Sequence, residues 1–391
     1  MPHAIPYERE LLAAQRAVQR ASELTRNVLS LSSNKSNNAS SELSETEKKD
    51  RSPVTSVDFA AQALIIGAIH DEFPEDGFVG EEDATTLRTD PVLTDKVFKL
   101  VDSMRSTDDE KLQGKCLATP ETKEEMFDVI DLGGRGQGGR EGRFWVLDPI
   151  DGTKAYVDGG QYAVSLALIV DGREVLGVLG CPNLSYAKTV QASSETGDRI
   201  SVTETSTDED GMGLMLSAVA GHGAEVRPMV RGRKWMEIQQ GRAVLRGDEK
   251  EQPVELKDLH FIDSSTSTAS RLDISKRVAD GAGAHKTTQY PGTELYSSHM
   301  RYAALTLGGR EYVQVRVPTT KPAKAYIWDH AGAQLIYKES RKGRGVVTDL
   351  YGKEIDFGAG RILDNNWGVI TADESVHSKI VKLVGEILDK E

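Results

Sequence analysis

The chain has little cysteine, no excess of basic charge and no long apolar run, and each shortage removes a class of protein. Two cysteines, Cys116 and Cys181, among 391 residues cannot build a disulfide framework. That fits a reducing compartment, and the expected location is the cytoplasm. No stretch of 18 apolar residues occurs, so no membrane span and no membrane partner is expected. Lys and Arg number 48 against 61 Asp and Glu, a formal net charge of −13. That field opposes nucleic acid, which is excluded as a partner. Glu8, Glu10 and Glu23 interrupt residues 7–29, so no secretory or transit signal is read there. What is present, 38% hydrophobic residues and 37 glycines, is ordinary for a globular chain and excludes global disorder. At roughly 150 residues per domain, the length is that of two to three domains.

Leu11, Ala14, Val18, Ala21 and Val28 recur at helical spacing, which predicts one amphipathic helix. Residues 30–47 are rich in Ser, Asn and Glu and read as a loop. The Asn38-Ala39-Ser40 sequon within them is expected to be unused. A second helix is expected from about Ser56 to Phe73, stopped by Pro74. Phe78-Val79-Gly80 reads as a short strand. Residues 83–140, with the Gly/Arg tract at 133–142, read mostly as insertion and loop. Arg143–Leu147 reads as a strand, and the runs 162–170 and 174–180 around Asp171-Gly172 read as a hairpin. Strands near 213–220, 258–263, 311–317, 345–349 and 367–371 alternate with helices near 266–279, 295–307, 329–339 and 373–389. That interleaving predicts layered α/β packing. The expected division is 1–211 and 212–391.

Trp145-Val-Leu-Asp148-Pro149-Ile150-Asp151-Gly152-Thr153 carries the chemistry. A strand delivers Asp148 to its end, and Pro149 forces a turn. Asp151, three residues on, can then face the same point. Two adjacent carboxylates repel unless a cation lies between them. Hard oxygen ligands of this kind suit Mg²⁺. Gly152 permits close backbone approach, and N–H groups at a helix start beyond it would point at an anion. The alternative is an Asp-Pro/Asp-Gly turn with solvated acids. Three further acidic positions join the set. Glu81-Glu82 follows a strand, Asp329 opens a helix, and Asp58 lies in the first turn of the second helix. Singly these read as a solvated charge pair, a helix N-cap and a dipole partner.

Together the blocks Gly80-Glu81-Glu82, Asp148–Thr153 and Trp328-Asp329-His-Ala-Gly332 resemble the inositol-monophosphatase-like, lithium-sensitive phosphatases. Ser52-Pro-Val-Thr-Ser-Val-Asp58-Phe-Ala-Ala-Gln62 and Gly138–Trp145 are most similar to the 3′(2′),5′-bisphosphate nucleotidases of fungi and plants. The resemblance covers about residues 8–390 and implies an αβαβα sandwich of two sheets with helical layers. It implies two or three Mg²⁺ ions on Glu81, Asp148, Asp151, Asp329 and the Ile150 carbonyl, with Glu82 behind them. Asp58 and Thr153 would orient and deprotonate the attacking water. Gly152 and Thr153 would present N–H groups to the scissile phosphate. Ser298 and Arg301 would hold the phosphate that is not cleaved, and Arg316 would lie beside the adenine. Asp329 would also face the substrate.

One segment departs from the fungal pattern. Where those enzymes carry a His within a Ser/His run, this chain has Asp263-Ser-Ser-Thr266-Ser-Thr268. Hydroxyls such as that of Thr266 can still bind phosphate or ribose. The expected reaction is Mg²⁺-dependent removal of the 3′-phosphate of adenosine 3′,5′-bisphosphate, with 3′-phosphoadenylyl sulfate as a further substrate. The alternatives are an inositol phosphate or other small phosphomonoester as substrate, and a non-catalytic nucleotide-binding homologue. The small-molecule nucleotide is the expected partner, and a monomer is the expected state.

Overall fold

Five layers alternate helix, sheet, helix, sheet, helix in a computed structural model of the chain. It describes residues 5–34, 46–47, 53–54, 56–105, 117–191, 201–205, 207–208, 211–230, 243–245, 253–265, 267–284, 290–320 and 325–391. The Asn38 sequon and Thr266 lie outside the described residues. The first layer holds α1 (Glu8–Asn34) and α2 (Ser56–Glu72). Ala14, Ala17, Val18 and Ala21 of α1 are fully buried, as the apolar spacing requires. In contrast, α2 is buried from Ser56 to Ile69, because α1 lies on one flank and the sheet and neighbouring helices on the others. Asp58 and Gln62 are therefore inside the protein.

The first sheet follows chain order: β1 (Gly77–Gly80), β2 (Arg143–Asp151), β3 (Ala163–Val170), β4 (Arg173–Cys181), β5 (Leu214–Val219), β6 (Ala224–Pro228) and β7 (Ala243–Leu245). β1 pairs parallel with β2, and every later pair is antiparallel. Val164, Leu166 and Leu168 of β3 face α1 and α2, while Ala163, Ala167 and Ile169 pack on the opposite side. A strand covered on both faces reads as a continuous apolar run, as this one does. The second sheet has the order β9–β8–β10–β12–β11, formed by β8 (His260–Asp263), β9 (Thr293–Glu294), β10 (Tyr312–Arg316), β11 (Gly345–Thr348) and β12 (Val369–Asp373). Between the sheets lie α8 (Ser298–Leu307) and α9 (Ala333–Ser340). On the far face lie α7 (Leu272–Ala282) and α10 (Glu374–Leu388). Among the described residues no helix is long and apolar enough to cross a membrane.

Two expectations are corrected. The strands β5–β7 continue the first sheet to residue 245, so a division at 211 cuts through it. The antiparallel ladder from Cys181↔Leu214 to Leu176↔Val219 binds β5 to β4 whatever the loop between them. The described part of 83–140 is also largely helical, with α3 (Thr85–Thr89), α4 (Pro91–Ser103) and α5 (Lys123–Arg135). Asp90 caps α4 by accepting from the N–H groups of Val92 and Leu93, with Pro91 in the first turn. Thr122 caps α5 by accepting from Glu125 N. Leu93, Val97 and Val101 recur at i+4 and join Met126 and Ile130 against α2, a narrow stripe masked by polar residues. α6 (Thr153–Val157) completes the helices that bear on the site.

The glycines at 133–136 are close-packing residues at the end of α5. A Cβ built on Gly136 would lie 1.6 Å from the Phe78 carbonyl oxygen, and one on Gly134 2.4 Å from that of Glu82. The helix end thus presses on the strand that carries Glu81. Gly136→Ala is expected to lower stability by about 1–3 kcal/mol, the usual cost of overpacking. A urea-unfolding midpoint equal to that of the wild type would refute this account of the contact.

Candidate active site

The β2–β3 register is regular from Arg143↔Val170 to Asp148↔Ser165, then shifts before Asp151↔Ala163. Pro149 has no N–H to give the ladder, so the strand bulges at that point. Within the bulge Ile150 N donates to Asp148 Oδ1 at 3.1 Å. Gly152 takes φ 90°, and a Cβ there would lie 2.7 Å from that of Ser297. Only glycine meets both demands. α6 then starts, and Thr153 Oγ1 donates to the Ile150 carbonyl at 3.2 Å. Asp151 Oδ2 accepts from Ser297 Oγ and from His299 N, both at 2.5 Å. Ser297 also caps α8, accepting from Met300 N at 3.0 Å. One carboxylate oxygen of Asp151 is thereby fixed to the helix layer between the sheets.

Asp329 ends a 3-10 turn, Ile327–Asp329. The turn runs into Gly332, which takes φ 83° and lies flush on the first sheet. A Cβ on Gly177 of β4 would be 2.5 Å from the Gly332 oxygen. Gly332 N donates to Glu174 Oε1 at 2.8 Å. His299 Nε2 donates to the Trp328 carbonyl at 2.7 Å. These contacts bring Asp329 to the bulge, where single oxygens of Asp148, Asp151 and Asp329 all lie within 4.8 Å of one another. Burial, then the charges of Asp151 and Glu81, push the Asp329 carboxyl up to about 7. Arg316 and Arg301 pull it the other way without cancelling that rise. Carboxylates so placed fit a hard divalent cation.

Glu81 follows β1 and lines a cavity of about 560 Å³ together with Tyr326, Trp328 and Arg361. Its charge reaches Asp329, although it is not one of the three acids above. Glu82 is 4% exposed, and its backbone is held on both sides by Gln62. Glu82 N donates to Gln62 Oε1 at 3.0 Å, and Gln62 Nε2 donates to the Glu82 carbonyl at 2.6 Å. Asp58, four residues before Gln62 on α2, is buried. Burial, then Tyr162 and the nearby Asp58 charge, push the Tyr156 phenol well above its usual pKa and keep it un-ionised.

On the other flank, Arg301 differs from its expected place. It is 1% exposed and turned back under its own loop, because the first turn of α8 covers it. Its Nη1 donates to the carbonyls of Leu295 and Tyr296 at 3.0 and 2.7 Å. Its Nη2 donates to Ser298 Oγ at 3.0 Å. Burial lowers its pKa to about 10, which still leaves a cation at neutral pH. It acts on the acids by its field rather than as an open fork. Arg316 is partly exposed and donates to Ser267 Oγ at 3.0 Å. Sequence reasoning passed over Ser297, His299, Gln62 and Glu174 as site residues. Only Ser297, an N-cap type before an apolar run, carried a local signal.

The chain matches the inositol monophosphatase family over residues 7–388. It belongs to that family. A 3′(2′),5′-bisphosphate nucleotidase of Emericella nidulans is 36% identical over 387 residues, covering 98% of this chain and 99% of that one. One from Schizosaccharomyces pombe is 34% identical, with 98% and 97% covered. A 3′,5′-bisphosphate nucleotidase 2 of Arabidopsis thaliana is 31% identical, with 98% of each covered. A Thermotoga maritima IMPase superposes with a TM-score of 0.53 at 17% identity, over 98% of this chain and 99% of that one. Inositol monophosphatase II of Staphylococcus aureus does so with 0.54 at 14% identity, over 97% and 94%. These two show the αβαβα fold, which the five layers confirm.

Glu174 supplies a pH test of how the Asp329 loop is held in this family member. Burial pushes its carboxyl from 4.5 up to about 7, against the pull of Lys338 and of the N–H groups of Gly332 and Leu335. Below 4.5 the folded and unfolded states both hold the proton. Between 4.5 and about 7 the unfolded state loses it first, so folding is increasingly disfavoured. Above that the penalty is constant. Glu174→Gln is expected to flatten this fall in stability, read as urea midpoints across about pH 5–8. Parallel curves for the two proteins would refute the assignment.

Proposed function

We propose that the chain is a Mg²⁺-dependent phosphatase that removes the 3′-phosphate of adenosine 3′,5′-bisphosphate, giving AMP and phosphate, with 3′-phosphoadenylyl sulfate as a further substrate. The observation that carries the chemistry is the meeting of Asp148, Asp151 and Asp329 within 4.8 Å. The names of the full-length relatives carry the substrate.

Asp148, Asp151, Asp329, Glu81 and the Ile150 carbonyl would hold the metal, with Glu82 in support. When bound, the ions would acidify water and offset charge on the phosphoryl group. The remaining work falls to the chain. Asp58 and Thr153 orient the attacking water and take its proton, in keeping with their places at the starts of α2 and α6. The N–H groups of Gly152 and Thr153 meet the scissile phosphate. Ser297 and His299 keep Asp151 from turning away. Because Arg301 is turned inward, Ser298 and Arg316 are assigned to the phosphate that is not cleaved, Arg316 moving from its expected place beside the adenine, and the buried Arg301 adds positive potential behind them. Thr266, in the hydroxyl run of residues 263–268, contacts the substrate. The few cysteines favour the cytoplasm as the place of action, and a monomer is sufficient for this site.

Phosphate release from adenosine 3′,5′-bisphosphate and from inositol 1-phosphate, measured in parallel, tests the reading. The nucleotide is expected to be the better substrate, with activity lost in chelator and restored by Mg²⁺. Calcium is expected to substitute poorly, because its larger, looser shell misplaces the water. Full activity in excess chelator would remove the mechanism, and preference for inositol 1-phosphate would remove the substrate.

The two arginines separate by substrate. Arg316→Ala is expected to cost about tenfold or more in kcat/KM for the bisphosphate, the loss of one charge-assisted contact. Adenosine 3′-monophosphate should suffer less. Arg301→Ala is expected to lower both substrates alike and to reduce the unfolding midpoint, since it leaves two carbonyls without their donor. A selective loss in Arg301→Ala would instead restore it as a direct phosphate contact.

A further inference from the structure

Arg361 lies in a segment that none of the sequence blocks includes. Its backbone borders the residues that lead into Asp329. Ile327 N donates to the Arg361 carbonyl at 3.0 Å, and Leu363 N to that of Ala325 at 2.8 Å. Tyr326 and Ile362 form an antiparallel bridge between these contacts. Its side chain reaches the first sheet. Nη2 donates to the Gly80 carbonyl at 2.9 Å, and Nη1 to the carbonyls of Gly133 and Gly136, each at 2.9 Å. The guanidinium carbon stands 4.7 Å over the Trp328 ring, which stacks on Tyr326 at 4.7 Å and 8°. One planar group therefore touches the residue just before Glu81 and the residue just before Asp329.

We propose that Arg361 is a positioning residue that sets Glu81 against Asp329 and so completes the metal site. The proposal rests on the metal assignment made above. Glu81 has left β1, and Asp329 sits on a single 3-10 turn, so neither is fixed by a long element of its own. Gly133 and Gly136 are at the C-terminal end of α5, where the Gly133 carbonyl already accepts from Gly136 N at 3.2 Å and a cation is favoured. The fork satisfies these and Gly80 in its plane, while its face meets Trp328. A lysine has neither the fork nor the face. The bonds to α5 also tie the helix end that presses on the Glu81 strand. The arrangement thus joins three separate segments through one side chain.

Mg²⁺ titration calorimetry without substrate, on wild type, Arg361→Lys, Arg361→Met and Arg140→Gln, tests this. Arg140 serves as control, because its ion pair with Asp356 at 2.6 Å braces the turn before Arg361 but touches no acid of the site. Both Arg361 variants are expected to bind Mg²⁺ about tenfold more weakly, the scale of a lost outer contact to a metal site. Arg140→Gln should bind as wild type does. In phosphate release the Arg361 variants should need more Mg²⁺, with KM at saturating Mg²⁺ little changed. Circular dichroism checks that each variant is folded, and Arg361→Lys carries the test if Arg361→Met is not. Wild-type affinity in folded Arg361→Lys would overturn the positioning role and leave the metal site standing. No Mg²⁺ binding by the wild type would overturn both.

Discussion

Three carboxylates within 4.8 Å of one another, two of them buried, repel, and the rest of the site exists to hold them together. Two unit charges at about 4 Å oppose each other by about 4 kcal/mol at the effective dielectric of a protein. Contacts from the first sheet and from the helix layer between the sheets resist that force. Asp151 is held by Ser297 and His299. Asp329 is held by the seat of Gly332 on Gly177 and by Glu174. His299 serves both acids, through its backbone to Asp151 and its ring to the Trp328 carbonyl. Burial first, and the charges of Asp151 and Glu81 after it, raise the Asp329 carboxyl, and a divalent cation would relieve the repulsive part.

The middle helix layer is what allows this. α8 and α9 pack on the first sheet with one face and on the second with the other. Their N-terminal ends point Ser297 at the end of β2 and seat Gly332 on Gly177 of β4. Tight packing leaves these ends little freedom to move. The geometry of the acids is thus inherited from the apolar core, and a core substitution beneath α8 or α9 bears on chemistry as well as on stability.

The division between Arg301 and Arg316 follows from burial. A guanidinium whose donors already meet Leu295, Tyr296 and Ser298 shapes a loop and supplies potential. A partly exposed one with a hydroxyl partner can still meet an anion. The sequence shows that both are arginines near the site, and only their surroundings show which one is open.

The sequence by itself determined the local chemistry. Asp-Pro-Ile-Asp-Gly-Thr specifies a bulge, a positive φ and a helix start, because Pro149 and Gly152 act on the backbone within a few residues. The strands, the hairpin at Asp171-Gly172 and most helices were legible from period and turn residues. α3–α5 were not, since their buried stripe is narrow and polar residues surround it. The extension of the first sheet to residue 245 was not either, because strand pairing across long loops leaves no local mark. Tertiary structure alone decided that Arg301 is buried, that Ser297 and His299 grip Asp151, and that Arg361 reaches Gly80. The grip on Asp151 and the reach of Arg361 join segments far apart in the chain, the burial of Arg301 depends on what packs over its own loop, and all three are set by how two sheets and three helical layers pack.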